Sequence, residues 1–134
     1  MVTETLVKEA LLSEMILAGA ELIGRLEKVK FSVSAALWRY LPESGTWRLV
    51  IASPEVGISG PKKAYKKIQS VSAQIPLEAP RVSLNDITVI DAKDTFISSL
   101  KTGIQTDKGG SGIRLIKTAI NGLFIEDAYI YRMM

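Results

Sequence analysis

The segment from Ala35 to Pro54 constrains the fold of this chain more than any other. Two β-patterned runs flank Pro42-Glu43-Ser44-Gly45, four residues with the chemistry of a tight loop. A hairpin closed by that loop sets Leu41 opposite Thr46, Tyr40 opposite Trp47, Arg39 opposite Arg48 and Trp38 opposite Leu49. Because side chains alternate along a strand, Ala36, Trp38, Tyr40, Trp47, Leu49 and Ile51 share one face, and Leu37, Leu41 and Val50 share the other with the two arginines. The aromatic trio would suit a stacking platform for a base, a sugar or a peptide, but Leu49 and Ile51 on the same face favour core packing. Two arginines directly opposed repel unless an acid or an anion lies nearby. Glu126 or Asp127 of the last strand would neutralise them if the two hairpins adjoin.

A second hairpin closes the sequence, with Ile113–Ile120 and Leu123–Arg132 joined by Asn121-Gly122, a pair that tolerates the positive φ angles of a two-residue turn. This register opposes Lys117 and Glu126. It also puts Arg114, Ile116, Thr118, Ile120, Leu123, Ile125, Asp127 and Tyr129 on one face. Both faces are apolar enough to predict central or covered strands.

Helical spacing of Val7, Leu11, Met15, Ala18, Leu22 and Val29, with Leu12, Ile16, Ile23 and Leu26 beside them, predicts one long helix from Thr3 to about Lys30. Thr3 is its expected cap, and Gly19 and Gly24 mark a close contact or a bend. A glycine-containing loop follows Pro54, and Gly60-Pro61 then opens a helix to about Ile75 with Ala64, Ile68 and Val71 inward. A strand at Ile87–Ile90 and a helix over Thr95–Thr102 precede the last hairpin. The predicted order is α-β-β-α-β-α-β-β. It describes a single α+β domain over residues 1–134, with a mainly antiparallel five-stranded sheet and helices packed on it. With 47% hydrophobic residues, 134 residues suffice for one such core.

The chain contains neither cysteine nor histidine. Disulfides, thiol nucleophiles, Cys or His zinc sites, and Ser-His or Cys-His relays are therefore excluded within one chain. Carboxylate, lysine, tyrosine or oxygen-bound hard-metal chemistry remains. No catalytic residue, cofactor-binding residue or metal ligand set is assigned from the sequence, and no cofactor is expected. There is no signal-peptide pattern after Met1 and no apolar run long enough to span a bilayer, so a cytoplasmic protein without a membrane partner is expected.

The formal net charge of +3 permits an acidic partner without requiring one. Lys62, Lys63, Lys66 and Lys67 form a basic stripe on the second predicted helix, with Tyr65 interleaved. A solvated helix face is the plainer explanation, and a polyanion-binding stripe is the functional one. Lys108-Gly109-Gly110-Ser111-Gly112 shares only its composition with phosphate-cradling loops, since a strand rather than a helix follows it. Asp91-Ala92-Lys93 resembles the Asp/Glu-x-Lys element of Mg²⁺-dependent nucleases of the restriction-endonuclease type. In such enzymes the acid holds the metal and the lysine helps position water. Glu55 and Asp86 are the nearest candidates for the second carboxylate, and neither completes the pattern.

Over Ala36–Pro54, read as ALWRYLPESGTWRLVIASP, and over Asn121–Arg132, read as NGLFIEDAYIYR, the chain resembles a family of small bacterial proteins of similar length with no assigned function. The resemblance implies a bacterial cytoplasmic setting and carries over no activity. The leading functional expectation is a non-enzymatic protein-interaction or dimerisation domain, using surplus apolar surface on the first helix or the last hairpin. The alternative is a polyanion- or nucleic-acid-binding domain built on Lys62, Lys63, Lys66, Lys67, Arg39 and Arg48. A minor alternative is a nuclease-like enzyme around Asp91 and Lys93.

Overall fold

The computed structural model describes residues 10–107 and 112–134. Its elements are α1 (Ser13–Lys28), β1 (Ala35–Leu41), β2 (Thr46–Ser53), α2 (Glu55–Ser59), α3 (Pro61–Ser72), β3 (Ile87–Asp91), α4 (Thr95–Lys101), β4 (Ile113–Ile120) and β5 (Leu123–Met133). The strands form one sheet in the order β3-β2-β1-β5-β4, antiparallel except for the parallel pair β2 and β3. Helices α1 and α3 cover one face and α4 the other. This is an α+β domain with a mostly antiparallel sheet.

The first hairpin has the register predicted from its loop, from Leu41 opposite Thr46 to Trp38 opposite Leu49. Trp38, Tyr40 and Trp47 are buried in the core beneath α1 and α3. The stretch after Pro54, expected to be a loop, instead winds into α2, with the Gly57 and Ile58 amides bonded to the Pro54 carbonyl. The helix predicted from Thr3 starts only at Ser13, because Leu12 has extended backbone (φ −85°, ψ 150°). Leu11 still packs on the core from outside the helix, so apolar periodicity runs past the helix boundary. Thr3 lies outside the described residues.

The two predicted apolar seams of α1 make one wide buried face comprising Ala18, Gly19, Leu22, Ile23 and Leu26, while Leu12, Leu17 and Val29 are exposed. Gly19 is a close contact. A Cβ there would lie 2.2 Å from Tyr131 Oη, which donates to the Ile16 carbonyl at 2.6 Å and accepts from Trp38 Nε1 at 3.0 Å. The network ties helix α1 to strands β1 and β5 across the core. Burial raises the Tyr131 pKa above its ordinary value, only partly offset by the Trp38 hydrogen bond.

Helix α1 ends in a Schellman arrangement, with the Phe31 amide bonded to the Leu26 carbonyl and the Lys30 amide to the Glu27 carbonyl. The left-handed position that glycine usually fills is occupied by Lys30 (φ 63°). For an L-residue with a side chain this conformation costs about 1–2 kcal/mol.

The last hairpin keeps the predicted pairing from Ile120 opposite Leu123 to Ile113 opposite Ile130, but its faces differ from those predicted. Lys117 adopts φ 45°, and the Lys117–Glu126 pair is missing from the ladder. Strand alternation reverses across this point. Ile113 and Leu115 pack with α4, and so do Ile120, Leu123 and Ile125, whereas Tyr129 packs beneath α1. One residue in left-handed backbone rotates the strand about its axis, so the period of two holds only on either side of it. β5 is central, as predicted. β4 is an edge strand, and its alternation of exposed and half-buried residues fits that position.

Candidate functional site

Arg39 and Arg48 lie side by side on the sheet face covered by α4, and neither meets Glu126 or Asp127. Asp127 is on the opposite face, in a two-pronged ion pair with Arg114 (2.6 and 2.8 Å) that raises the Arg114 pKa. The reversal at Lys117 and the order β2-β1-β5 account for this, since β1 keeps β2 apart from β5. Arg48 is spent on the start of β3. Its Nε donates to Thr88 Oγ1 at 2.6 Å, Nη1 to the Asn85 carbonyl at 3.0 Å and Nη2 to the Ile87 carbonyl at 3.1 Å. Arg39 stacks over the Phe96 ring at 4.3 Å, where burial lowers its pKa despite the opposing field of Glu43. Among the described residues no carboxylate forms an ion pair with Arg39. The repulsion between the arginines is thus relieved by carbonyls, a hydroxyl and a ring. These are architectural contacts.

Asp91 and Lys93 sit where β3 leaves the sheet. Asp91 Oδ1 accepts from the Lys93 amide at 2.9 Å, and its other carboxylate oxygen lies against Gly57 in α2. They border a depression of about 260 Å³ with Pro54 and Ile58. Glu55 and Asp86, the sequence candidates for a second metal carboxylate, line different depressions. Among the described residues there is no group of three or more Asp, Glu, His or Cys residues placed to hold a metal ion. The geometry therefore reads as a turn in which Asp91 fixes the exit of β3.

The four lysines of α3 divide by helical geometry. All four are exposed, but Lys63 and Lys67, one turn apart, line a depression of about 280 Å³ between the end of α1, α2 and α3, and Lys62 and Lys66 do not. The depression is also lined by Lys30, Glu55, Ser59 and Phe31. Three elements bring these residues together. Lys30 is delivered by the left-handed cap of α1, Glu55 and Ser59 by α2, and Lys63 and Lys67 by α3. Buried Phe31 and Ala64 contribute apolar surface. Three lysines accompany one glutamate in the lining, an excess of positive charge at a shallow, solvent-exposed depression. The α1 carbonyls nearest this region are occupied by the Schellman bonds, which blunts the negative end of that helix.

Sequence reasoning identified Lys63 and Lys67 but grouped them with Arg39 and Arg48, which lie on the other side of the sheet. It named Lys30 only as the approximate end of the first helix. The available signal was a lysine, flanked by Val29 and Phe31, at the position where a helix of this kind ordinarily has glycine. Comparison with protein families, with characterised proteins and with solved structures finds no match. No helix among the described residues is long and apolar enough to cross a membrane.

Proposed function

We propose that this protein is a non-enzymatic binding domain for anionic ligands, with its site in the depression between the end of α1, α2 and α3. The observation that carries this reading is the convergence of Lys30, just past the end of α1, with Lys63 and Lys67 of α3 on one concavity whose lining contains a single carboxylate, Glu55. Three cations against one carboxylate are the groups that capture an anion. Titration with sodium pyrophosphate, followed by backbone amide chemical shifts, is expected to perturb residues 28–31 and 55–67. The response should weaken with added salt and be lost in Lys63→Ala/Lys67→Ala. No response at low ionic strength, or one indifferent to the double substitution, would remove the proposal.

A second reading, self-association, draws on the free edge of β4, where Ile116 is exposed at 59% and Phe124 in the adjoining strand at 59%. Sedimentation velocity across a wide concentration range is the test. A single monomeric species throughout would discard it.

A further inference from the structure

We infer that the ligand of this depression is a small phosphate monoester whose body carries a hydrogen-bond-donating group, taken up singly, and that Lys30 and Glu55 set this preference. The inference rests on the anion-binding reading above and goes on to name the ligand class.

Three features of the lining lead there. The first is size. About 280 Å³ holds on the order of nine water-sized groups at ~30 Å³ each, enough for a phosphate and a body of a few atoms. A polymer would need a basic track longer than the one Lys62 and Lys66 could add on α3. Arg39 and Arg48 lie on the far face of the sheet, stacked on Phe96 and bonded to β3.

The second is charge. Lys30, Lys63 and Lys67 against Glu55 leave an excess of two positive charges. A phosphate monoester carries close to two negative charges at neutral pH, so the complement is near balance. Glu55 is unfavourable for a bare anion. It becomes favourable only when the ligand brings an ammonium or hydroxyl that a carboxylate accepts. A site with both signs selects a ligand with both kinds of group.

The third is the backbone at Lys30. Glycine would fill the left-handed cap without strain, and the lysine there delivers its side chain to the rim of the depression. A conformation that is unfavourable for folding yet places a cation at a charged concavity is the pattern expected of a residue kept for binding.

The test uses the full chain with three probes, inorganic phosphate, phosphoethanolamine and thymidine oligonucleotides of increasing length, followed by amide chemical shifts and calorimetry. Phosphoethanolamine is expected to bind about tenfold tighter than inorganic phosphate, a modest coupling for one added charged contact. Glu55→Gln should invert that order by strengthening inorganic phosphate and weakening phosphoethanolamine, an exchange that simple loss of structure would not produce. Lys30→Gly should raise the melting temperature by about 3 °C and weaken both small ligands, which separates binding from folding. Equal affinity for the two small probes, an unaltered order in Glu55→Gln, or unaltered binding in Lys30→Gly would overturn the inference. Oligonucleotide binding that strengthens with length and also shifts Lys62 and Lys66 would overturn it while leaving the anion-binding reading standing. Silence toward every probe would overturn both.

Discussion

Helix α1 contains two glycines five residues apart, and the same substitution at each is expected to change stability in opposite directions. Replacing a helical glycine by alanine ordinarily stabilises by about 1 kcal/mol, because alanine has less backbone freedom to lose. At Gly24 a Cβ would have nothing within 4 Å, so Gly24→Ala should realise most of that gain. At Gly19 the Cβ would fall 2.2 Å from Tyr131 Oη, 2.8 Å from its Cζ and 3.1 Å from Trp38 Nε1. These atoms cannot easily retreat, because Tyr131 is bonded to the Ile16 carbonyl and Trp38 to both Tyr131 and the Met15 carbonyl. Overpacking costs about 1–3 kcal/mol and a displaced hydrogen bond about 1 kcal/mol, so after the propensity gain Gly19→Ala should destabilise by about 2 kcal/mol. Urea unfolding of the wild type and both variants, with m-values compared to confirm unchanged compactness, measures the two signs directly. Adding Tyr131→Phe deletes the hydroxyl responsible for the shortest contact, so the double variant should recover about 1 kcal/mol relative to the sum of the single changes. Stabilisation by Gly19→Ala comparable to that at Gly24, or strict additivity with Tyr131→Phe, would refute the proposed contact between α1 and β5.

Arg48→Leu removes three hydrogen bonds to Thr88, Asn85 and Ile87 while keeping an apolar stem, and should destabilise by about 2 kcal/mol with early loss of amide protection in β3. Unchanged exchange in β3 would show that the arginine does not hold that edge. Tyr131 has its folded-state pKa raised by burial, so its contribution is complete below the unfolded tyrosine pKa of about 10 and is lost as pH rises beyond it. Wild-type stability should therefore fall more steeply than that of Tyr131→Phe above about pH 10, as measured by urea midpoints across alkaline pH. Parallel curves for the two proteins would contradict the assignment.

Much of the fold is legible without coordinates where the signal is local. The register of β1 and β2 follows from four loop residues, and the turn at Asn121-Gly122 follows from a dipeptide that accepts left-handed backbone. The candidate site is less legible. Lys63 and Lys67 stand out as part of a stripe, but helical phase alone does not say which lysines of the stripe meet Lys30 and Glu55. The start of α1 is misread because Leu11 and Leu12 carry the apolar rhythm ahead of the first helical residue, one packing on the core and the other exposed. The faces of the last hairpin are misread because a single positive φ at Lys117 breaks an alternation that the residue types do not announce.

By itself, the sequence of this protein determined an α+β domain, two hairpins and their registers, and the exclusion of thiol and imidazole chemistry, because each depends on neighbours in the chain or on composition. Tertiary structure decided which charges meet. It sent Asp127 to Arg114 rather than to the arginine pair, gave Arg48 to β3 and Arg39 to Phe96, and gathered Lys30, Glu55, Lys63 and Lys67 around one depression. Electrostatic partnership depends on distance in space, and for residues far apart in sequence that distance is set by strand order and helix placement.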